Sequence, residues 1–315
     1  GQKGKVVKMT DYILETKELT KTYHGVSALQ NVSITLEAGR IYGLIGRNGA
    51  GKSTLMRMIA GLSYPTLGSI ELFGKCNEKA IQAERKRIGC MIENPSLNMN
   101  MTAKENLRFH RLMRGIPNQE IEDELLQWVG LDDTGKKKAN NFSLGMKQRL
   151  GIAITLLDNP EFLILDEPIN GLDPLGVIEI RNLLIQLCEE KHMTILISSH
   201  NLPELYQVAT DYIIIDNGEV KQALTLEQLE DCCKRHILIE CEEPEKLLVL
   251  LETKLNTTNF KVMPDKTIKL YDYVEEKKKV AEAIFEDGII VTNFSTEGDT
   301  LEDYFISVIG GGQNV

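Results

Sequence analysis

The stretch GRNGAGKST, Gly46 to Thr54, lies between an apolar run, RIYGLI, and a helical one, KSTLMRMIAGL. It fits the pattern G-x-x-x-x-G-K-[ST], which carries meaning only where a strand delivers a tight turn to the start of a helix, and here it does. Gly46, Gly49 and Gly51 let the backbone curl. Successive N–H groups along Gly46, Arg47, Asn48, Gly49, Ala50 and Gly51 then face β- and γ-phosphate oxygens, and the helix N-terminus adds positive potential. Lys52 brings a point charge to the same oxygens, Ser53 offers a hydroxyl to Mg2+, and Thr54 donates toward the α-phosphate. An α/β core that binds a nucleotide phosphate is the expectation.

A second stretch, EFLILDEP, places Asp166 and Glu167 at the carboxyl end of an apolar strand. Open α/β sheets bind ligands at that edge. Asp166 is expected in the Mg2+ shell, and Glu167 is expected to accept a proton from the attacking water, as a general base must. His200, in TILISSHN, ends another apolar strand, so its imidazole is expected near the γ-phosphate or its water. Two acids can simply cap a buried strand, and a lone histidine is more often structural. The phosphate loop upstream tips both readings toward chemistry.

A third acid poses a harder question. Glu93 ends the hydrophobic run in RIGCMIENPSL, and a bare carboxylate beside phosphates is repelled. It can face them only if a cation neutralises it, so Glu93 is expected to touch Mg2+ directly or through a water. The competing reading is a helix cap or solvated acid with no ligand. The loop that follows, ENPSLNMNM, is Met-rich and suited to an adaptable contact with a partner's helix.

At 315 residues the chain exceeds the usual single domain, so one large and one small domain are expected. The balance of 36 basic against 46 acidic residues, a net charge of −10, disfavours nonspecific binding to nucleic acid or anionic lipid. Six cysteines without a CxxC pair read as reduced thiols of a cytosolic protein. No apolar run approaches the roughly 20 residues that a spanning helix needs, so work at a membrane would require other chains to cross it. Residues 1–10 read as an N-terminal tail, with 1–8 an artificial addition ahead of Met9.

Along residues 11–222 strands dominate first, in YILETKELTKTY, VSITLEAG, IYGLIG and SIELFG. A helical subdomain follows over about 95–160, with apolar residues at three- and four-residue spacing. Apolar strands then alternate with the helix PLGVIEIRNLLIQLCEEKH, which implies a parallel sheet with crossover helices. Residues 223–315 change order: strand, helix, hairpin, helix, strand, helix. That is expected to be a small α+β domain of the ferredoxin-like, split β-α-β kind.

Order and spacing together resemble the ATPase subunit of ATP-binding-cassette (ABC) transporters over residues 11–222. FSLGMKQRL, Phe142 to Leu150, stands about twenty residues before LILDE, where the family has its signature; NGLDP matches its D-loop, with Asp173, and SSHN its switch histidine. The resemblance implies a P-loop NTPase fold, binding and hydrolysis of ATP with Mg2+, and stacking of Tyr23 on adenine. Ser143 and Gly145 at a helix start would make a second anion site. The family implies that they close on ATP held by a second ATPase subunit, giving an ATP-dependent dimer.

Two departures narrow the likeness. Leu144 and Met146 stand where commoner members have Gly and Gln, and Glu93 stands at the glutamine of the Q-loop. Both resemble the bacterial exporters for bacitracin resistance and lantibiotic immunity. This implies hydrophobic membrane-spanning partner subunits, no nucleic acid, and a position on the cytoplasmic face of the membrane. A cassette ATPase acting on DNA or ribosomes is the alternative from another class, disfavoured by the single cassette, the lack of insertions and the net acidity. An importer ATPase is the other, disfavoured by FSLGM and Glu93.

Overall fold

The computed structural model describes residues 12–298 and 300–310. The N-terminal tail read from the sequence lies outside them. The chain divides into two compact units, the larger holding the described residues up to Leu226 together with 308–310, the end of the last helix, and the smaller spanning Glu227–Ser307.

In the larger unit, β1 (Tyr12–Tyr23) pairs antiparallel with β2 (Val26–Val32), β3 (Thr35–Glu37) and β5 (Leu67–Leu72). VSITLEAG is not one continuous strand, because the chain breaks at Ser33 and Ile34. Thr16 explains the break: its buried hydroxyl donates to the Val32 carbonyl (2.9 Å) and accepts the Ile34 N–H (3.0 Å). Both backbone groups are thereby satisfied without a continuous ladder.

The second sheet has six strands in the order β10-β9-β4-β8-β7-β6, comprising β4 (Ile41–Ile45), β6 (Ile88–Met91), β7 (Phe162–Leu165), β8 (Thr194–Ser199), β9 (Asp211–Asp216) and β10 (Glu219–Thr225). Every neighbouring pair is parallel except β9 and β10. All residues of β4, β7 and β8 are buried, as in strands covered on both faces. Helix α1 (Lys52–Ile59) joins the two sheets in one core, where its Leu55, Met56, Met58 and Ile59 meet Leu14, Leu36, Leu44 and Phe162. A short helix with no counterpart among the expected elements, α2 (Glu78–Glu84), is capped by Asn77, which accepts the Ala80 N–H at 2.8 Å. It buries only Ile81, too little to leave a periodic signal.

Helices α3 (Ala103–Met113), α4 (Ile121–Trp128) and α5 (Leu144–Thr155) all fall between β6 and β7, which are parallel neighbours. The helical subdomain is thus the crossover between them. Thr102 and Glu105 form a capping box at the start of α3, and buried Arg111 and Glu122 (2.8 Å) tie α3 to α4. Beyond β7 come α6 (Pro174–Lys191) and the short α7 (Leu202–Tyr206).

The smaller unit follows α8 (Leu226–Cys233) with β11 (His236–Cys241), α9 (Pro244–Thr253), β12 (Phe260–Val262), β13 (Ile268–Leu270), α10 (Lys277–Glu286), β14 (Val291–Glu297) and α11 (Leu301–Gly310). Its strands lie in the order β12-β13-β11-β14, each neighbouring pair antiparallel. The strands that α9 connects are therefore separated by a third, which defines a split β-α-β unit. Ile237, Ile239, Leu247, Leu251, Ile268 and Ile284 belong to a core of its own. Among the described residues no helix is long and apolar enough to cross a membrane.

Candidate functional site

Strands β4, β8 and β7 are consecutive in the sheet and parallel, so the segments that leave their carboxyl ends emerge side by side. Those segments are the phosphate loop, Ser199 to Asn201, and Asp166 with Glu167. The topology alone brings the three stretches to one edge.

Close packing holds the phosphate loop from behind. A Cβ on Gly46 would sit 2.4 Å from the Ile215 carbonyl oxygen, and one on Gly51, whose φ is +108°, would sit 2.7 Å from that of Ala28. Neither position admits a side chain. The turn between β9 and β10 supplies further ties: Gly218 N–H donates to the Ala50 carbonyl (2.9 Å), and Arg47 donates through Nε (3.2 Å) and Nη2 (2.9 Å) to Oδ1 of Asp216. Asn48 and Gly49 form the exposed tip, and Thr54 is half-buried on the first turn of α1.

In front of this scaffold stands a polar cluster. Lys52, 5% exposed, donates to the carbonyls of Gly46 (2.6 Å) and Arg47 (3.2 Å) and pairs with Oε1 of Glu167 (3.3 Å). Ser53 Oγ donates to Oδ2 of Asp166 (2.6 Å). Oδ1 of the same carboxylate accepts from Ser198 Oγ (2.6 Å), whose oxygen in turn accepts the Glu167 N–H (2.8 Å). Nδ1 of His200 meets Oε2 of Glu167 at 2.8 Å. A carboxylate only accepts, so this nitrogen carries the proton. Lysine, two hydroxyls, two carboxylates and imidazole thus form one connected set.

Other expected residues lie elsewhere. Glu93 sits with φ +71° and forms an ion pair with Arg57 of α1, so it is not bonded into the Ser53–Asp166 pair. Tyr23 ends β1, its hydroxyl 3.3 Å from Ser63 Oγ and its ring centre 4.8 Å from Lys21 Nζ. Ser143 caps α5 by accepting the Met146 N–H (3.2 Å), and Asp173 caps α6 by accepting that of Gly176 (3.2 Å). The two helix starts adjoin, since a Cβ on Gly145 would lie 3.6 Å from Gly176 Cα. Ser198, Asp216 and Arg57 were not singled out from the sequence; a serine within an apolar strand gives no local sign of its partners.

The donor set suits a hard cation. One carboxylate oxygen and one hydroxyl match Mg2+, which keeps waters and takes one or two carboxylates together with substrate phosphates. Among the described residues no group of three or more His, Cys, Asp and Glu could hold a metal ion by itself.

Residues 29–170 match the ABC transporter family model. The chain is 40% identical over 300 residues to the bacitracin transport ATP-binding protein BcrA of Bacillus licheniformis, covering 95% of this chain and 98% of that protein. It is 41% identical over 231 residues to the lantibiotic transport ATP-binding protein SrtF of Streptococcus pyogenes, covering 72% of this chain and 99% of the relative. Among solved structures it resembles the dimeric post-hydrolysis state of an ATP-binding cassette bound to ADP and Pi, with 26% identity, a TM-score of 0.61, and coverage of 68% of this chain and 98% of that one.

Proposed function

The chain belongs to the ABC transporter family as an ATPase subunit, and from that premise we propose that it powers a bacterial exporter of peptide antibiotics of the bacitracin or lantibiotic type. The relatives named for bacitracin and lantibiotic transport support this substrate class, and the likeness to BcrA extends over the smaller unit as well as the larger. The exporter's membrane-spanning subunits are separate chains, and this subunit lies against them on the inner face of the membrane.

The observation that carries the catalytic reading is the Ser53–Asp166 bond at 2.6 Å with Glu167 beside it. Ser53 and Asp166 would hold Mg2+. When bound, the ion neutralises phosphate charge that would otherwise resist attack. Lys52 and the N–H groups of Gly46 to Thr54 hold the phosphates, and Tyr23 stacks on adenine. Glu167 takes the proton of the attacking water while His200, donating from Nδ1, fixes the direction of its carboxylate. Ser143, Gly145 and Asp173 face the nucleotide of a second ATPase subunit across an ATP-dependent dimer. Glu93, paired with Arg57 here, would join the Mg2+ shell by exchanging that partner, and the exchange would link nucleotide state to the membrane subunits.

Glu167→Gln tests the chemistry. It should bind MgATP, lose roughly 10²- to 10⁴-fold in hydrolysis, and accumulate as a nucleotide-bound dimer. An active variant would place the base elsewhere. Export is tested in a producing strain: loss of the gene should sensitise cells to bacitracin or a lantibiotic, and Glu167→Gln should not restore resistance. Unchanged sensitivity to both classes would overturn the exporter reading.

A further inference from the structure

Ser198 lies in β8 with 1% of its surface exposed, directly after the apolar run ILI. A hydroxyl buried there costs stability unless it is bonded. Its two bonds go to two different residues of the site, Oδ1 of Asp166 (2.6 Å) and the backbone N–H of Glu167 (2.8 Å). Their directions are fixed. An amide can only donate, so the single hydroxyl proton must go to the carboxylate.

Two consequences follow for geometry. The Asp166 carboxylate is divided, with Oδ1 tied back to the sheet and Oδ2 left toward Ser53 of α1. Glu167 has φ +49°, in the left-handed region that non-glycine residues enter only at a cost in free energy. The bond from its N–H to Ser198 helps hold it there. Next along the strand, Ser199 is buried to a similar degree, yet its hydroxyl donates to Glu204 (3.2 Å) and accepts the Asn201 N–H (3.0 Å). The neighbouring hydroxyls therefore serve separate sets of groups.

We infer that Ser198 is a positioning residue that sets the metal-holding carboxylate of Asp166 and the proton-accepting Glu167 relative to each other. This rests on the roles proposed above for those two acids. The bridge acts on metal affinity through Asp166 and on turnover through Glu167, so its loss should alter both together. Loss of a partner that orients a metal ligand typically costs 10- to 100-fold in affinity or activity.

The test uses the full chain with a non-hydrolysable ATP analogue and Mn2+ as the spectroscopic probe. In Ser198→Ala the Mn2+ dissociation constant, read by electron paramagnetic resonance, should rise roughly 10- to 100-fold, while analogue binding in EDTA stays unchanged and ATP turnover falls. Ser198→Cys, which fills the same space with a weakly bonding thiol, should follow it and guards against a folding defect in the alanine variant. Ser199→Ala should leave Mn2+ affinity at the wild-type value. Wild-type Mn2+ affinity in folded Ser198→Ala or Ser198→Cys, or an equal loss in Ser199→Ala, overturns the inference. A wild-type metal titration would leave the roles of Asp166 and Glu167 standing, whereas an active Glu167→Gln would remove those roles whatever Ser198 does.

Discussion

Glu167 and His200, 33 residues apart in sequence, meet at 2.8 Å between Oε2 and Nδ1 at the ends of different strands. The bond orients an acid whose other oxygen, Oε1, faces Lys52 at 3.3 Å. His200→Ala removes one charge-assisted hydrogen bond, worth about 1.5–3 kcal/mol, so turnover should fall by roughly 10- to 100-fold. His200→Gln keeps an N–H donor and should lose less. Steady-state ATPase assays on the two variants decide it, and full activity in His200→Ala would show that the contact is idle.

Ser143 does two things at once, because it caps α5 and sits where the partner subunit's nucleotide is proposed to bind. Ser143→Ala would blur them, since a lost cap costs about 0.5–2 kcal/mol. Ser143→Asp separates them: it retains an acceptor for the Met146 N–H while setting a negative charge against the partner's phosphates. Thermal unfolding near wild type, intact ATP binding by the monomer and loss of concentration-dependent ATPase are expected. Activity unchanged at every dilution would sink the dimer proposal.

The Arg57–Glu93 pair lies on the surface, with side chains 39% and 65% exposed, and such pairs contribute about 0–1 kcal/mol. Glu93→Ala should therefore leave denaturant unfolding almost unmoved. If Glu93 links nucleotide state to transport, the same variant binds ATP but loses hydrolysis or its coupling, with Glu93→Gln milder. Untouched ATPase, Mg2+ dependence and transport would end that proposal.

In the smaller unit, hydrogen bonds from Thr257 Oγ1 (2.5 Å) and Asn259 Nδ2 (2.8 Å) hold the Asp272 carboxyl below its ordinary value of 3.8. A depressed carboxylate stabilises the fold above its unfolded-state value, and the contribution is lost as pH falls through the folded-state one. Hydrogen exchange around β13 should accordingly speed up as pH drops below about 3.8, after correction for intrinsic rates, and less steeply in Asp272→Asn. Identical acid profiles for the two proteins would refute it.

The parts of the site that could be read in the sequence are those where chemistry and backbone share a short stretch. Gly46 and Gly51 mark the phosphate loop because backbone packs on backbone there, and Asp166 and Glu167 stand out because charge interrupts an apolar strand. Ser198 could not be found this way. Its partners directly follow β7, and only the parallel pairing of β7 with β8 brings them within reach. Glu93 differs again: its position at a strand end suggests a cation, but not which one, and Arg57 on α1 is a cation within reach. The break between β2 and β3 likewise depends on Thr16, more than fifteen residues upstream of Val32.

Ile88 and Phe162 are register partners in β6 and β7, yet every residue of α3, α4 and α5 lies between them. Closing so long a connection costs little at equilibrium, since each doubling of length adds only about 0.6 kcal/mol. Its burden falls on timing. During synthesis β6 leaves the ribosome first, and its neighbour follows on the order of several seconds later at ordinary elongation rates. For that interval the edge of the sheet that will carry Glu93 stands unpaired, so the nucleotide site is completed only after the helical subdomain has been made.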